Sequence, residues 1–256
     1  MKRLVIKVGT AVLTEDNKKL ALDRIQNLVK LIAKLKNEKN LEVILVSSGA
    51  VGAGYTVLQL DKKILANKQA LAAIGQPKLM KTYQEMFEEY GITAAQMLFI
   101  ADDFDSRKRS KNAKNVMENL LKNKILPIIN ENDVIATEEL IGDNDQLAAY
   151  ITHYFKADML AILTDIDGYY DKNPREFSDV KLQKIVNEIS QEELEKIPSA
   201  NSKFATGGIV TKLKAADFLM QKNIPMYLSS GFDLTNAYDF LVENNHNSGT
   251  IFKKQG

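Results

Sequence analysis

The sequence contains no cysteine, which excludes a disulfide framework, a thiolate metal site and a cysteine nucleophile. It also has no excess of one charge, because 34 Lys and Arg residues nearly balance 33 Asp and Glu residues. No global field therefore favours nucleic-acid or membrane partners. No apolar run approaches the roughly 18 residues of a membrane span, and the first residues lack the apolar stretch of a signal peptide. We expect a cytoplasmic protein.

Short β-branched runs alternate with longer segments of helical period, a pattern typical of βαβ units and a mainly parallel sheet. Strands are predicted at 4–8, 43–46, 92–100, 125–129, 159–163, 226–228 and, as a last edge strand, 250–252. Helices are predicted near 68–90, 106–123, 143–156 and 211–223, after an earlier one that Asp23 caps. No linker rich in Pro, Gly or Ser divides the chain, so we expect a single α/β domain over residues 1–256.

Polar or small residues stand where several predicted strands end, which is where open α/β sheets bind ligands. Lys7 interrupts the apolar strand 4–8 and precedes Gly9. A lysine at the end of a buried strand needs an anionic partner, since an unpaired buried charge is costly. It either reaches solvent past the sheet edge or faces a phosphate, with Gly9 allowing the ligand to approach the backbone.

The next strand ends in a turn of small residues that includes Ser48 and Gly49. Backbone N–H groups at such a turn bind anions, although a tight structural turn explains the pattern equally well. The spacing is not that of a Walker A loop. Asn130 to Asp133 follow a further buried strand and offer carboxylate acceptors for an ammonium group and amide donors for a carboxylate. A solvated loop is the alternative there.

Two later segments complete the set of candidates. Asp143 suits a helix N-cap, which leaves Asn144 and Asp145 unexplained, and Asp145 is the better candidate for holding lysines in position. Thr164 and Asp165 end another strand. The segment from Thr206 to Lys212 combines glycines with a lysine near a helix start. Free amides, a positive dipole end and a cation together resemble a phosphate cradle.

In this order, the segments resemble the amino acid kinase family, and within it the glutamate 5-kinases. The matching stretches are VIKVGT (5–10), VSSGAVGAG (46–54), INENDVIAT (129–137), GDNDQLAA (142–149), LTDIDGYY (163–170) and TGGIVTK (206–212). The sequence departs from the family pattern at Ala205, where glycine is usual, and at Ile209, where methionine is usual. Many relatives append a PUA domain, an RNA-binding-type module, and we expect this chain to lack it.

The resemblance implies a three-layer αβα sandwich, with the acceptor over an amino-terminal lobe (about 1–155) and ATP over a carboxy-terminal lobe (about 156–256). It implies catalytic roles for Lys7, Lys212 and Asp145. It implies glutamate binding by Ser48, Gly49, Asn130, Asp133 and Asn144. It implies nucleotide binding by Lys7, Gly9, Thr164, Asp165, Thr206, Gly207, Gly208, Ile209, Val210, Thr211 and Lys212.

The implied reaction is ATP-dependent phosphorylation of the glutamate side-chain carboxylate, the first step of proline biosynthesis. A carboxylate is already ionised at pH 7, so no general base is needed, and catalysis rests on positioning and charge stabilisation. Mg²⁺ would be held mainly through the ATP phosphates, with no protein metal site. A homo-oligomer and feedback by proline are further expectations from relatives. Alternatives are another acceptor such as uridylate or carbamate, a nucleotide sensor without turnover, and an RNA-binding protein that uses the basic run 107–114.

Overall fold

The computed structural model describes residues 1–15, 19–136, 144–172, 177, 179–195 and 208–255. Within these residues, eight strands form one sheet in the order β3-β4-β2-β1-β5-β7-β8-β6. Neighbouring strands are parallel except for β7 and β8, which are antiparallel. The strands are β1 (Arg3–Val8), β2 (Glu42–Ser47), β3 (Ala94–Phe99), β4 (Leu126–Glu131), β5 (Met159–Thr164), β6 (Ile185–Val186), β7 (Met226–Ser230) and β8 (Thr250–Phe252).

Helices connect most of these strands, as parallel pairing requires. They are α1 (Thr10–Leu13), α2 (Leu22–Asn37), α3 (Ala50–Tyr55), α4 (Leu65–Glu88), α5 (Asp102–Asp105), α6 (Arg107–Lys122), α7 (Asn144–Tyr154), α8 (Gln191–Glu195), α9 (Gly208–Gln221) and α10 (Thr235–Leu241). None of the described helices is long and apolar enough to cross a membrane.

The helices cover both faces of the sheet, so the core has two halves. Leu4, Ile6 and Val8 of β1 belong to one apolar cluster, which also contains the buried faces of α2 and α4. Val5, on the opposite face of the same strand, belongs to the other cluster, with α7 and α9. This arrangement confirms the predicted α/β sandwich. It also explains why β1 reads as a continuous apolar run, because a central parallel strand is buried on both faces.

Side-chain alternation along β1 decides where Lys7 points. Successive residues of a strand face opposite sides of the sheet, so Lys7 shares the face of Val5, the face that α7 and α9 cover. Because β1 lies between β2 and β5, a side chain at its carboxyl end is flanked by the ends of both neighbours. This position places Lys7 at the middle of the ligand-binding edge that such sheets offer.

Three local predictions were wrong. Asp23 does not cap α2, since Ala21 occupies the N-cap position and Asp23 lies in the first turn. Strand β8 is not an edge strand, because it lies between β7 and the two-residue strand β6. Helix α9 begins at Gly208 rather than at Thr211. In each case, the short run of residues did not show where the helix begins or which strands pair.

Candidate active site

Two lysines from distant parts of the chain meet on one buried aspartate. Lys7 Nζ lies 2.6 Å from Asp145 Oδ1, and Lys212 Nζ lies 3.0 Å from Asp145 Oδ2. The Asp145 side chain is fully buried, and those of both lysines are nearly so. Two positive charges therefore share one negative charge, which leaves this charged centre (Lys7, Asp145 and Lys212) with a net charge of about +1.

The secondary structure explains how the three side chains converge. Asp145 is the second residue of α7, which packs on β1 and on α9. Lys212 is the fifth residue of α9, and its Nζ also donates to the Gly208 backbone oxygen at 2.9 Å. Thr211 Oγ1 donates to Asp145 Oδ2 at 3.1 Å. Each oxygen of the carboxylate thus has at least one donor, and the packing of α7 on both β1 and α9 brings the two lysines to it.

The charged centre changes the protonation of its carboxylate. Burial alone would raise the pKa of Asp145, but the attraction of Lys7 and Lys212 and their hydrogen bonds outweigh it and lower that pKa to about 2. Asp145 is therefore ionised at neutral pH. An anionic Asp145 can hold two ammonium groups side by side, whereas a neutral one would leave them to repel each other.

A second cluster, made of neutral side chains, lies on the β2 and β4 side of Lys7. Asn144 Nδ2 is 2.9 Å from both Ser48 Oγ and Asn130 Oδ1. Asn130 Nδ2 in turn donates to Gln76 Oε1 at 2.9 Å, and Gln76 Nε2 donates to Gln96 Oε1 at 3.0 Å. We call Ser48, Asn144, Asn130 and Gln76 the amide network. It joins the ends of β2 and β4 to helices α4 and α7.

One backbone group shows which end of each amide in the network donates and which end accepts. The Glu131 N–H donates to Asn130 Oδ1 at 2.9 Å, so that oxygen must be the acceptor and Asn130 Nδ2 must face Gln76. Asn144 must then present its Nδ2 to Asn130 and Ser48. Within the described residues, Asn144 Oδ1 is buried without a donor. The network therefore offers one buried acceptor, and the Ser48 hydroxyl, which accepts from Asn144, has its own hydrogen available for a ligand.

Glycines shape the turn that carries Ser48. Gly49 has a φ of 100°, in the left-handed region that side chains rarely adopt. A Cβ on Gly54 of α3 would lie 1.9 Å from the Leu71 backbone oxygen, and one on Gly75 of α4 would lie 1.8 Å from that of Ala50. The two helices thus touch backbone to backbone. This contact places Gln76 against the end of β4.

The β5 and α9 side of Lys7 is more open. Thr164 is buried at the end of β5, and its Oγ1 donates to Oδ1 of the exposed Asp165 at 3.0 Å. A Cβ on Gly9 would meet only ordinary contacts, which include Thr164 Oγ1 at 3.7 Å and Lys7 Nζ at 3.9 Å. A Cβ on Gly208 would lie 4.0 Å from Lys212 Nζ. Both glycines border the lysines, and the described protein atoms do not require the absence of a side chain there.

The structure brings together most, but not all, of the predicted site residues. Ile209 and Val210 are half-buried in the first turn of α9, beside Gly208. Asp133 lies just past β4, half-buried, and burial raises its pKa while Lys68 of α4 opposes that rise. The described hydrogen bonds do not connect Asp133 to the amide network. Ala205, Thr206, Gly207 and Asp143 lie outside the described residues.

Sequence reasoning missed Gln76 and Gln96. A signal for Gln76 was present, because it interrupts the apolar face of α4 formed by Ala72, Leu79 and Tyr83 at helical spacing. A buried amide on such a face needs hydrogen-bond partners. The partners, however, come from other strands, and the sequence does not identify them.

Comparisons with known proteins identify what the chain is similar to. Residues 2–230 match the model of the amino acid kinase family. A glutamate 5-kinase from Wolinella succinogenes is 56% identical over 261 residues, covering 100% of this chain and 99% of the relative. One from Leishmania donovani is 51% identical, covering 98% and 95%. A carbamate kinase from Giardia lamblia, solved with AMP-PNP, superposes with a TM-score of 0.70 at 16% identity over 99% of each chain, which shows the common fold alone.

Proposed function

Because the chain belongs to the amino acid kinase family, we propose that it transfers the γ-phosphoryl group of ATP to the side-chain carboxylate of L-glutamate. The products are ADP and L-glutamyl 5-phosphate, and the reaction is the first step of proline biosynthesis. The observation that carries the proposal is the shared Asp145 carboxylate, which holds Lys7 and Lys212 between an amide-lined side and an open side. The relatives named glutamate 5-kinase support this choice of acceptor.

The reaction joins two anions, so its main barrier is electrostatic. The acceptor carboxylate is ionised at neutral pH and attacks without a general base. Negative charge then spreads over the phosphoryl oxygens as the bond to ADP breaks. Lys7 and Lys212 approach this charge from two sides, and burial strengthens their effect. Asp145 does not react; it holds the ammonium groups of both lysines in place.

The amide network supplies the glutamate site in this proposal. The Ser48 hydroxyl donates to a substrate carboxylate, and Asn144 Oδ1 accepts from the α-ammonium group. Asn130 holds Asn144, while the turn at Gly49 brings backbone N–H groups to the same end of β2. Asp133 adds a negative charge for the ammonium group. Its burial disfavours ionisation in the free protein, and a bound cation would reverse that preference.

Nucleotide binding is assigned to the open side. Thr164, Asp165, Gly9 and the described residues 208–212 border it, and the amino end of α9 presents a positive dipole to the phosphates. Among the described residues, no group of three His, Asp or Glu side chains is placed to hold a metal. Mg²⁺ would be held mainly by the phosphates and water, and Asp165, exposed beside Thr164, is the carboxylate that this side offers to it. Bound Mg²⁺ supplies charge neutralisation of the phosphates.

The test is ATP turnover with a panel of acceptors: L-glutamate, L-aspartate, N-acetyl-L-glutamate and uridylate. We expect ADP formation with L-glutamate at least about 100-fold faster than with the others at equal concentration, the discrimination that a site with paired polar contacts provides. Hydroxylamine should trap the product as a hydroxamate, since only an acyl phosphate reacts in this way. Uridylate-dependent turnover without hydroxamate would replace the proposal with its main alternative.

We extend the proposal to a cytoplasmic homo-oligomer that proline inhibits, on the basis of the family resemblance. Light scattering gives the mass in solution, and a proline titration of the glutamate reaction gives the inhibition. A monomer, or turnover unchanged by millimolar proline, would remove the corresponding part without affecting the chemistry at Lys7 and Lys212.

A further inference from the structure

We infer that Gln76 is a positioning residue that sets the preference for an amino-acid acceptor, an inference that rests on the proposed function. Gln76 lies on α4, is 9% exposed, and is the member of the amide network that contacts Asn130 from α4. Its Oε1 accepts from Asn130 Nδ2 in a buried hydrogen bond of 2.9 Å. Gln76 itself does not belong to the residues that contact substrate in the proposed site.

The reason is the directionality of the amide network. An amide can turn over by 180° and exchange its donor and acceptor ends at little steric cost. The Asn130 side chain is held in one orientation from two ends, by the Glu131 N–H at its oxygen and by Gln76 Oε1 at its nitrogen. Without the Gln76 acceptor, a buried Asn130 N–H would lose its partner, which makes the observed orientation costly.

The orientation of Asn130 passes to Asn144. Asn130 Oδ1 accepts from Asn144 Nδ2, so Asn144 must present its Oδ1 to the remaining side of the pocket. Within the described residues that oxygen is buried without a donor. An ammonium group is the donor that matches it. Gln76 thus acts through Asn130 to keep the acceptor Asn144 Oδ1, rather than the donor Nδ2, facing the substrate amino group.

Gln96 supports Gln76 less strongly. Gln96 Oε1 accepts from Gln76 Nε2 at 3.0 Å, but Gln96 lies on the edge strand β3 and is exposed. Water can replace an exposed partner, whereas it cannot easily replace the buried bond to Asn130. The structure therefore ranks Gln76 well above Gln96 in its effect on the pocket.

The experiment compares L-glutamate with glutarate, the same diacid without its amino group. The variants are Gln76→Met, which removes the acceptor, Gln76→Glu, which keeps an oxygen toward Asn130, and Gln96→Met. We expect Gln76→Met to lower the ratio of kcat/KM for glutamate to that for glutarate by about tenfold, the worth of one oriented hydrogen bond. The KM for ATP should stay within about twofold. Gln76→Glu and Gln96→Met should keep the ratio within about threefold of the wild-type value.

The outcomes separate the two levels of the proposal. A merely structural Gln76 would lower thermal stability but leave the glutamate-to-glutarate ratio unchanged in folded Gln76→Met protein, and this result overturns the inference. If Gln76→Met does not fold, Gln76→Glu decides, because a tenfold fall of the ratio in that variant contradicts an acceptor role. A wild-type protein that forms no ADP with glutamate refutes the proposed function itself, and the inference with it.

Discussion

The two sides of Lys7 are built in different ways. In the charged centre, the ammonium groups of Lys7 and Lys212 each lie within 3.0 Å of the buried Asp145 carboxylate. The amide network joins Ser48, Asn144, Asn130 and Gln76 through neutral groups at 2.9 Å each. Both are buried and both are linked by hydrogen bonds. They differ in what they present to a ligand.

That difference divides the work of the site. A net positive charge stabilises any transferring phosphoryl group, whatever the acceptor, and acts most strongly where charge develops. Neutral amides contribute little to charge stabilisation, but each has a donor end and an acceptor end that match one orientation of one ligand. We therefore expect changes in the charged centre to reduce kcat, and changes in the amide network to raise the KM for glutamate.

The largest effect is expected from removing either lysine. Lys7→Met or Lys212→Met should lower kcat by about 10²–10³-fold, the usual cost of one preorganised charge stabiliser. The thermal midpoint should change little, because Asp145 keeps one lysine and the centre becomes neutral. Steady-state kinetics and calorimetry measure both quantities. Lys214→Met is the matched control, since Lys214 is exposed on the same helix, and near-normal turnover in both test variants would end the proposed mechanism.

Replacement of the Asp145 carboxylate is a second test of the charged centre. Asp145→Asn leaves two nearly buried ammonium groups without their shared counter-charge, so stability should fall by about 3 kcal/mol. For a chain of this size the thermal midpoint should drop by about 6–12 °C. Lys7→Met should show no such drop. Equal thermal midpoints for Asp145→Asn and Lys7→Met would show that Asp145 does not stabilise the fold by offsetting repulsion between the lysines.

On the amide side, Ser48→Ala should raise the KM for glutamate by about tenfold, because one oriented donor is lost. Its kcat should stay within about threefold, and the KM for ATP should not change. Initial rates over a matrix of both substrates give all three constants. A selective loss of kcat in Ser48→Ala would remove the division of work between the two sides.

The charged centre was accessible to sequence reasoning for a physical reason. A lysine in an apolar strand needs a counter-charge, because an unpaired buried charge is costly, and so does a second aspartate after a plausible N-cap. Each residue is the counter-charge that the other needs. The α/β architecture was accessible as well, from apolar periodicity alone. The structure confirms that architecture and brings Lys7, Asp145 and Lys212 together, and their catalytic role remains a prediction.

The amide network was only partly accessible. Their position at strand ends marked Ser48 and Asn130, and Asn144 was left unexplained after a plausible helix N-cap at Asp143. The direction of their hydrogen bonds depends on the Glu131 N–H and on Gln76, which lies more than 50 residues before Asn130 in the chain. Strand order depends on similar long-range pairing. This is why β8 was assigned to an edge, although it pairs with both β7 and β6. Local patterns identify which groups need partners, and the fold decides which partners they obtain.

Asp133 tests whether the amide side also contains a charge for the substrate. Its pKa is raised by burial, so its ionised form costs folding free energy near neutral pH. Asp133→Asn should therefore raise the thermal midpoint slightly, by about 1–3 °C, while it raises the KM for glutamate several-fold. Opposite signs for stability and binding are typical of a functional residue. An unchanged KM for glutamate would show that Asp133 does not contact the ammonium group.

The last test varies the pH, and the sign of the resulting change in stability again differs between Asp145 and Asp133. Lys7 and Lys212 lower the pKa of Asp145 from its ordinary value of 3.8 to about 2. The ionised carboxylate therefore stabilises the fold at every pH above 3.8, and this contribution is lost as the pH falls towards 2. The difference in unfolding free energy between wild type and Asp145→Asn should therefore stay constant from about pH 5 to pH 8 and shrink below about pH 4. Asp133 has the opposite sign, because its raised pKa makes wild type lose stability relative to Asp133→Asn as pH rises through that pKa. Denaturant titrations of wild type, Asp145→Asn and Asp133→Asn across this pH range measure both trends. If the difference in unfolding free energy between wild type and Asp145→Asn grew on acidification, the carboxylate in the charged centre would not be ionised.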